Sequence, residues 1–316
     1  MAWRPMTAEE TADFLATHIA EAAAKIESAR AKINLALHVL NRRPDGYHAL
    51  DSLVVFAELA DTLTAYRREE SVVELSIDGD FAEVLTETTF PQDNLVYSVA
   101  SALSRAFPNR VSGGVRLHLT KELPVAGGLG GGSADAAATL RLLNRIWRLG
   151  LTTAELVDLG ANLGADVPVC VLSRPARIEG IGELVTPVTT LPAMPVVLVN
   201  PGVAMQTASV FRQLAPADRS PLPPMPSRFV SIMELVFWLR KTRNDLFEPA
   251  CRAAPVIETA VRMLASDPDC MFARMSGSGA TVFGIFLSIE AASRAAERIR
   301  DMRAGWWVAV TWTGGS

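Results

Sequence analysis

Residues 124–138 read PVAGGLGGGSADAAA, and five of the six residues in 127–132 are glycine. Such a run gives up every side chain it could pack with and has a large backbone entropy to lose on ordering, so something outside it must hold it. It opens directly onto an alanine-rich amphipathic pattern, with Ser133 placed to cap a helix beginning at Ala134. Several unblocked N–H groups then meet a helix N-terminus that carries about half a positive charge, and the absent Cβ atoms let an anion approach the main chain. The spacing predicts a phosphate site. Neither common nucleotide fingerprint fits: GxxxxGK[ST] fails at Ser133 and Ala134, and GxGxxG would need glycine at Ser133 or at Leu129.

With 316 residues the chain has room for one large domain or two that share an interface. At 49% hydrophobic and 20% charged residues it has the composition of an ordinary globular protein. No apolar run reaches the roughly eighteen residues of a membrane span, so no membrane partner is expected. A net charge of −4 gives no basic field, which excludes nucleic acid as the expected partner. Cys170, Cys251 and Cys270 are odd in number and widely spaced, which argues against a disulfide framework or a zinc site and for a reducing cytoplasm. His18, His38, His48 and His118 show no metal-ligand spacing, and no protein metal ligand is assigned.

The first 27 residues place Phe14, Leu15, Ile19, Ala22, Ala23 and Ile26 near a 3.6-residue period, behind a capping box at Thr7 and Glu10. This predicts an N-terminal helical extension over 1–27 that docks on the body or on a second subunit, leaving a homodimer open. Strand patterns follow at 31–40, 53–58, 63–66, 72–77 and 115–119, then helical patterns at 94–107, 133–149 and 153–163. The second half offers strands at 195–199, 281–286 and 306–313, and helices at 229–240, 253–264 and 289–302. Residues 220–228, SPLPPMPSR, read as a surface loop. Strands followed by helices predict an α+β fold, with domains at 28–180 and 181–316.

The glycine block resembles the second motif of the GHMP kinases (galacto-, homoserine, mevalonate and phosphomevalonate kinases), whose loop wraps the triphosphate of ATP. Two further blocks agree in order: AKINLALHVLNRRPDGYHALDSL, and MSGSGATVFGIF at 275–286, similar to the third motif. The resemblance implies a two-domain α+β fold, an N-terminal ribosomal-protein-S5-domain-2-like domain and a C-terminal ferredoxin-like α/β sandwich. It also implies ATP contacts at Pro124, Val125, Ala126, Gly127, Gly128, Leu129, Gly130, Gly131, Gly132, Ser133 and Ala134, with Gly277, Ser278 and Gly279 beside them. Magnesium is expected with the ATP.

Within that superfamily KINLALHVLNRRPDGYH, GLGGGSADAA, LGADVPVC, ARIEGIGELVTPV and NDLFEPA are most similar to the branch that phosphorylates the 2-hydroxyl of 4-diphosphocytidyl-2-C-methyl-D-erythritol. Asp166 in GADVP matches the branch's catalytic base and Lys32 in AKINL its catalytic lysine. The chemistry suits them: an attacking alcohol must lose a proton to a base, while a lysine positions it and offsets developing charge. The resemblance puts the substrate's cytidine near Tyr47, His48 and Phe211, where a base finds ring faces to stack on. Asn34, Lys121 and Thr207 match positions on its erythritol or diphosphate side. A homoserine- or mevalonate-type kinase, or a non-catalytic sensor on the same fold, remain the alternatives.

Overall fold

Two long strands frame the molecule. β1 (Lys25–Arg42) and β2 (His48–Arg68) pair antiparallel, from Lys25 opposite Ala65 to Arg42 opposite His48. The structure, a computed structural model, describes residues 24–88, 91–215 and 218–314. The helical extension expected over 1–27 lies outside the described residues up to 23, and its last residues are not helical. Lys25, Ile26 and Glu27 pair with Ala65, Thr64 and Leu63, because β2 offers them a ready ladder. The strands expected at 53–58 and 63–66 are one, since the ladder runs through Asp61. Register shifts between Arg30 and Lys32, and between Asn34 and Ala36, bend β1 beside the two side chains that matter most below.

The first half continues with β3 (Val73–Asp78), α1 (Ala82–Thr88), α2 (Leu95–Ala106), β4 (Gly114–Thr120), α3 (Gly131–Ile146), α4 (Thr153–Ala161) and α5 (Val167–Leu172). Asn94 caps α2 by accepting from the N–H of Val96, and Thr152 with Glu155 forms a capping box on α4. The helices bury Val96, Leu103, Leu140 and Trp147 against Leu63, Leu117 and Leu119 of the strands. A hairpin of β5 (Ala176–Gly180) and β6 (Leu184–Pro187) follows, with β5 paired to β2. The second domain is expected to begin at 181; hydrogen bonding to β5 places residues 184–187 on the first sheet.

The second half comprises β7 (Met194–Asn200), α6 (Thr207–Arg212), α7 (Ile232–Leu239), α8 (Phe247–Ala253), α9 (Val256–Ala265), β8 (Phe272–Met275), β9 (Val282–Ile285), α10 (Ile289–Met302) and β10 (Trp307–Thr313). The strands join one sheet in the order β3-β4-β2-β10-β7-β9-β8, with β10 touching β2 at Thr313 and Ala57. A shared core spans both halves: Ile33, Leu35 and Leu53 meet Val196, Leu198, Phe283 and Leu235. The proline-rich stretch is irregular, as its residues predict, but Leu222 is buried in that core rather than on the surface. Among the described residues no helix is long and apolar enough to cross a membrane.

Candidate active site

The glycine run is held by main-chain and hydroxyl bonds from elsewhere in the chain. Helix α3 starts at Gly131, not Ala134, and its N-cap is Gly130 in the left-handed region at φ 64°. Ser133 is therefore inside the first turn and caps nothing, because a left-handed glycine turns the chain into the helix three residues earlier. The first helical hydrogen bond is Ala134 N to Gly130 O at 2.8 Å, which leaves the N–H groups of Gly131, Gly132 and Ser133 at the open end of the helix. At Gly128 (φ 78°) a Cβ would stand 2.5 Å from the Ser276 carbonyl and 2.8 Å from that of Gly279, so the second glycine loop packs directly on the first.

Hydrogen bonds lock the two loops together. Ser276 Oγ donates to Gly128 O at 2.9 Å, Thr281 N to Gly127 O at 2.9 Å, and Met205 N to Ala126 O at 3.1 Å. The β1 strand joins in through Asn34 N, which donates to Ser276 Oγ at 3.1 Å, and Lys32 N, which donates to Leu129 O at 2.8 Å. Asn244 Nδ2 reaches both Met275 O and Gly277 O at 2.9 Å.

Above these loops lies a cleft of about 830 Å³. Lys32 Nζ donates to Asp166 Oδ1 at 2.7 Å, the lysine side chain 5% exposed and the carboxylate 46%. Asp166 stands at the N-cap position of α5, yet its side chain caps no N–H and is turned toward Lys32. Asn34 is buried beside them, its Nδ2 engaged by Ser52 Oγ at 2.9 Å and its Oδ1 without a partner. Across the cleft Thr207 and Phe211 share one face of α6, with Thr207 Oγ1 2.9 Å from Ser278 Oγ. The rings of Phe211 and His48 are 5.2 Å apart, and Tyr47 lines the same end, largely exposed. Burial first, and then the positive charges of Arg42 and Arg219, hold the His48 imidazole below its ordinary range.

The expected ATP residues divide among three surroundings. Ala126, Gly127, Gly128, Gly130, Gly132 and Ser133 line the cleft, as do Gly277 and Ser278. Pro124, Val125 and Gly131 line a second cavity of about 220 Å³, which Ala126 and Gly132 also border. Leu129 and Ala134 turn their side chains into the protein and Gly279 packs on Met275, so these three offer no side-chain surface to a ligand.

Lys121 does not reach the main cleft. Its side chain is 3% exposed, and its ammonium is held between Asp61 and Asp135, the latter at 2.9 Å, at the edge of the second cavity. The reason is tertiary: β4 ends beside β2 and α3, and both deliver a carboxylate to the same buried point. Asp61 also accepts from the N–H groups of Glu122 and Leu123, at 2.7 and 2.8 Å, and so fixes the approach to the glycine run. Burial would lower the Lys121 pKa, but the charges of Asp135 and Asp61 outweigh it and raise it. Burial pushes the Asp135 carboxyl up to about 7, Lys121 opposing and Asp61 reinforcing the rise.

Sequence reasoning missed Asp61, Asp135, Ser276 and Asn244, and three arginines of the cleft wall, Arg42, Arg212 and Arg219. Ser276, Asn244, Asp135 and Arg42 sat within quoted blocks, so their motif was the available signal; Asp61, Arg212 and Arg219 lie outside those blocks and carry none.

Residues 94–174 match the family described as GHMP kinases N terminal domain, and residues 228–304 match GHMP kinases C terminal. A Chelativorans sp. (strain BNC1) protein named 4-diphosphocytidyl-2-C-methyl-D-erythritol kinase is 46% identical over 285 residues, 90% of this chain and 94% of its own. A Cereibacter sphaeroides (strain ATCC 17029) protein of the same name is 47% identical over 282 residues, 89% of this chain and 96% of its own. The fold also superposes on a crystal structure of 4-(cytidine 5'-diphospho)-2C-methyl-D-erythritol kinase with a TM-score of 0.76 and 32% identity, covering 92% of this chain and 100% of that one. Homoserine kinase from Cytophaga hutchinsonii shares the fold, with a TM-score of 0.64 at 15% identity over 98% of this chain and 96% of that one. The two-domain α+β architecture, the interlocked glycine loops and these relatives agree: the chain belongs to the 4-diphosphocytidyl-2-C-methyl-D-erythritol kinase family of the GHMP kinases.

Proposed function

We propose that this kinase transfers the γ-phosphoryl group of ATP to the 2-hydroxyl of 4-diphosphocytidyl-2-C-methyl-D-erythritol. The observation that carries the reading is the Lys32–Asp166 pair, 2.7 Å apart, in a cleft bounded by a phosphate loop at one side and an aromatic pair at the other. Asp166 accepts the hydroxyl proton as the oxygen attacks, and the bond from the γ-phosphorus to the β–γ bridging oxygen breaks to leave ADP. Lys32 orients Asp166 and offsets charge on the transferring group. The N–H groups of Gly131, Gly132 and Ser133 hold phosphate oxygens, and the unpartnered Oδ1 of Asn34 is an acceptor for a substrate hydroxyl. The cytosine stacks at Tyr47, His48 and Phe211, and the adenine occupies the second cavity on the other side of the loop.

Among the described residues no group of three or more His, Cys, Asp or Glu gathers as a metal site. The donors present fit a Mg²⁺ carried on the nucleotide's phosphates and waters, with the Ser133 hydroxyl as its protein contact. When bound, it would neutralise phosphate charge.

Turnover with the cytidyl substrate, set against mevalonate and homoserine and scored by ADP release, tests the assignment; activity on either rival alone would overturn it. Asp166→Asn should lower kcat by about a hundredfold or more with little change in the KM for ATP. Undiminished turnover in that variant would remove Asp166 as the base.

A further inference from the structure

The substrate proposed above carries a diphosphate, and Lys121, the lysine expected on its erythritol or diphosphate side, is engaged elsewhere, as is the catalytic Lys32. Lys32 pairs with Asp166, and Lys121 is held by Asp61 and Asp135 outside the cleft. Three arginines line the cleft instead. Arg42 ends β1 directly opposite His48 in the strand ladder. Arg212 ends α6 one residue after Phe211. Arg219 belongs to the loop beyond, anchored by its own N–H to Leu40 O at 2.9 Å. All three line the main cleft, where Asp166 is the single carboxylate among the described residues.

Their charges are poorly compensated within the protein. Arg42 reaches the Gly46 carbonyl at 3.4 Å, and Arg212 reaches Ser209 Oγ at 2.8 Å. Arg219 approaches Asp245 at 3.8 Å, but that carboxylate is already engaged by Arg243 at 2.7 Å and by Val39 N at 2.8 Å. Among the described residues no carboxylate pairs with Arg42 or Arg212. The positive field of Arg42 and Arg219 reaches the His48 ring, which it disfavours as a cation. Cations scattered over a solvated face would not converge in this way. These come from a strand end, a helix end and a loop; all three line one cleft, and Arg42 and Arg219 act on the His48 ring.

We propose that Arg42, Arg212 and Arg219 form the wall that recognises the diphosphate of the acceptor, so that the cleft reads its ligand as a nucleoside diphosphate ester and not as a nucleoside. The inference rests on the function proposed above and extends it to charge. Guanidinium forks match phosphate oxygens, and a charged hydrogen bond of this kind discriminates strongly against a ligand that lacks the anion.

The test is equilibrium binding of cytidine diphosphate and of cytidine to the full-length protein, with a non-hydrolysable ATP analogue filling the phosphate loop. Turnover of the full substrate is measured in parallel. The wild type should prefer the diphosphate by about tenfold or more, a preference that shrinks as salt rises. Arg42→Gln and Arg219→Gln should each erode most of that preference while leaving cytidine affinity and the KM for ATP unchanged, and should raise the KM for the acceptor more than they lower kcat. Arg42→Lys should retain part of it. A wild-type preference near one, or variants that keep the full preference, overturns the wall. A preference lost in the variants, in a wild type that does not turn over the cytidyl substrate, keeps the wall and overturns the substrate assignment.

Discussion

Asp135 is the side chain whose environment departs furthest from what its position in the chain announces. One lysine faces two carboxylates there, and burial, reinforced by the charge of Asp61, pushes the Asp135 carboxyl up. Its folded pKa, about 7, is raised above that of the unfolded chain, so its contribution to stability is fully present below about pH 4 and is lost as pH rises to about 7. Asp135→Asn should remove much of this slope: melting temperatures taken at several pH values across that window should fall less with pH in the variant than in the wild type. An equal slope would show that another group titrates. Gly128→Ala should cost about 1–3 kcal/mol in denaturant unfolding, since φ 78° and the Ser276 and Gly279 carbonyls leave no place for a methyl group. The same scale shows what could be read in advance. Gly127, Gly130, Lys32 and Asp166 stood in blocks whose residue types have one chemical use in common. Lys121 was misplaced because its partners are 60 and 14 residues away, and no local pattern reports a buried ion pair.

The capped helices and the alternating strands were legible because their signals are local. Asn94 and Thr152 stop a coil and start a helix through bonds to residues two and three positions on, and both stand at the caps. Thr152→Ala should lower unfolding free energy by about 0.5–2 kcal/mol without moving either KM, as measured by urea denaturation beside steady-state kinetics. A change in kinetics would tie α4 to the site. Short elements escaped: α6, α8 and β8 are four to seven residues long, too brief for a period to show. The start of α3 was read at a plausible capping serine, but the backbone freedom of Gly130 outranks a hydroxyl three residues later. That difference matters chemically, because the earlier start adds open N–H groups where phosphate would lie.

At the scale of the whole molecule the two sequence halves share an apolar seam. Beside a core confined to the first half, Ile33 and Leu53 pack with Val196 and Phe283, so parting the halves would expose apolar surface and they should unfold together. Phe283→Ala, at a fully buried position, should cost about 3–5 kcal/mol and lower a single calorimetric transition; two separate transitions would mean that the halves unfold independently. The boundary near residue 180 was hard to place for the same reason, since a hairpin belonging to one half is drawn from the residues leading into the other. Chain order adds something about synthesis. β10 is made after β2 and β7, yet it lies between them, and Ser276 and Thr281 leave the ribosome long after the glycines they bind. A growing chain can settle β1, β2, β4 and their helices early. The glycines at 127 and 128 have no partners to hold them until residues 276–281 have been made, so the loop stays open for about 150 residues of further synthesis.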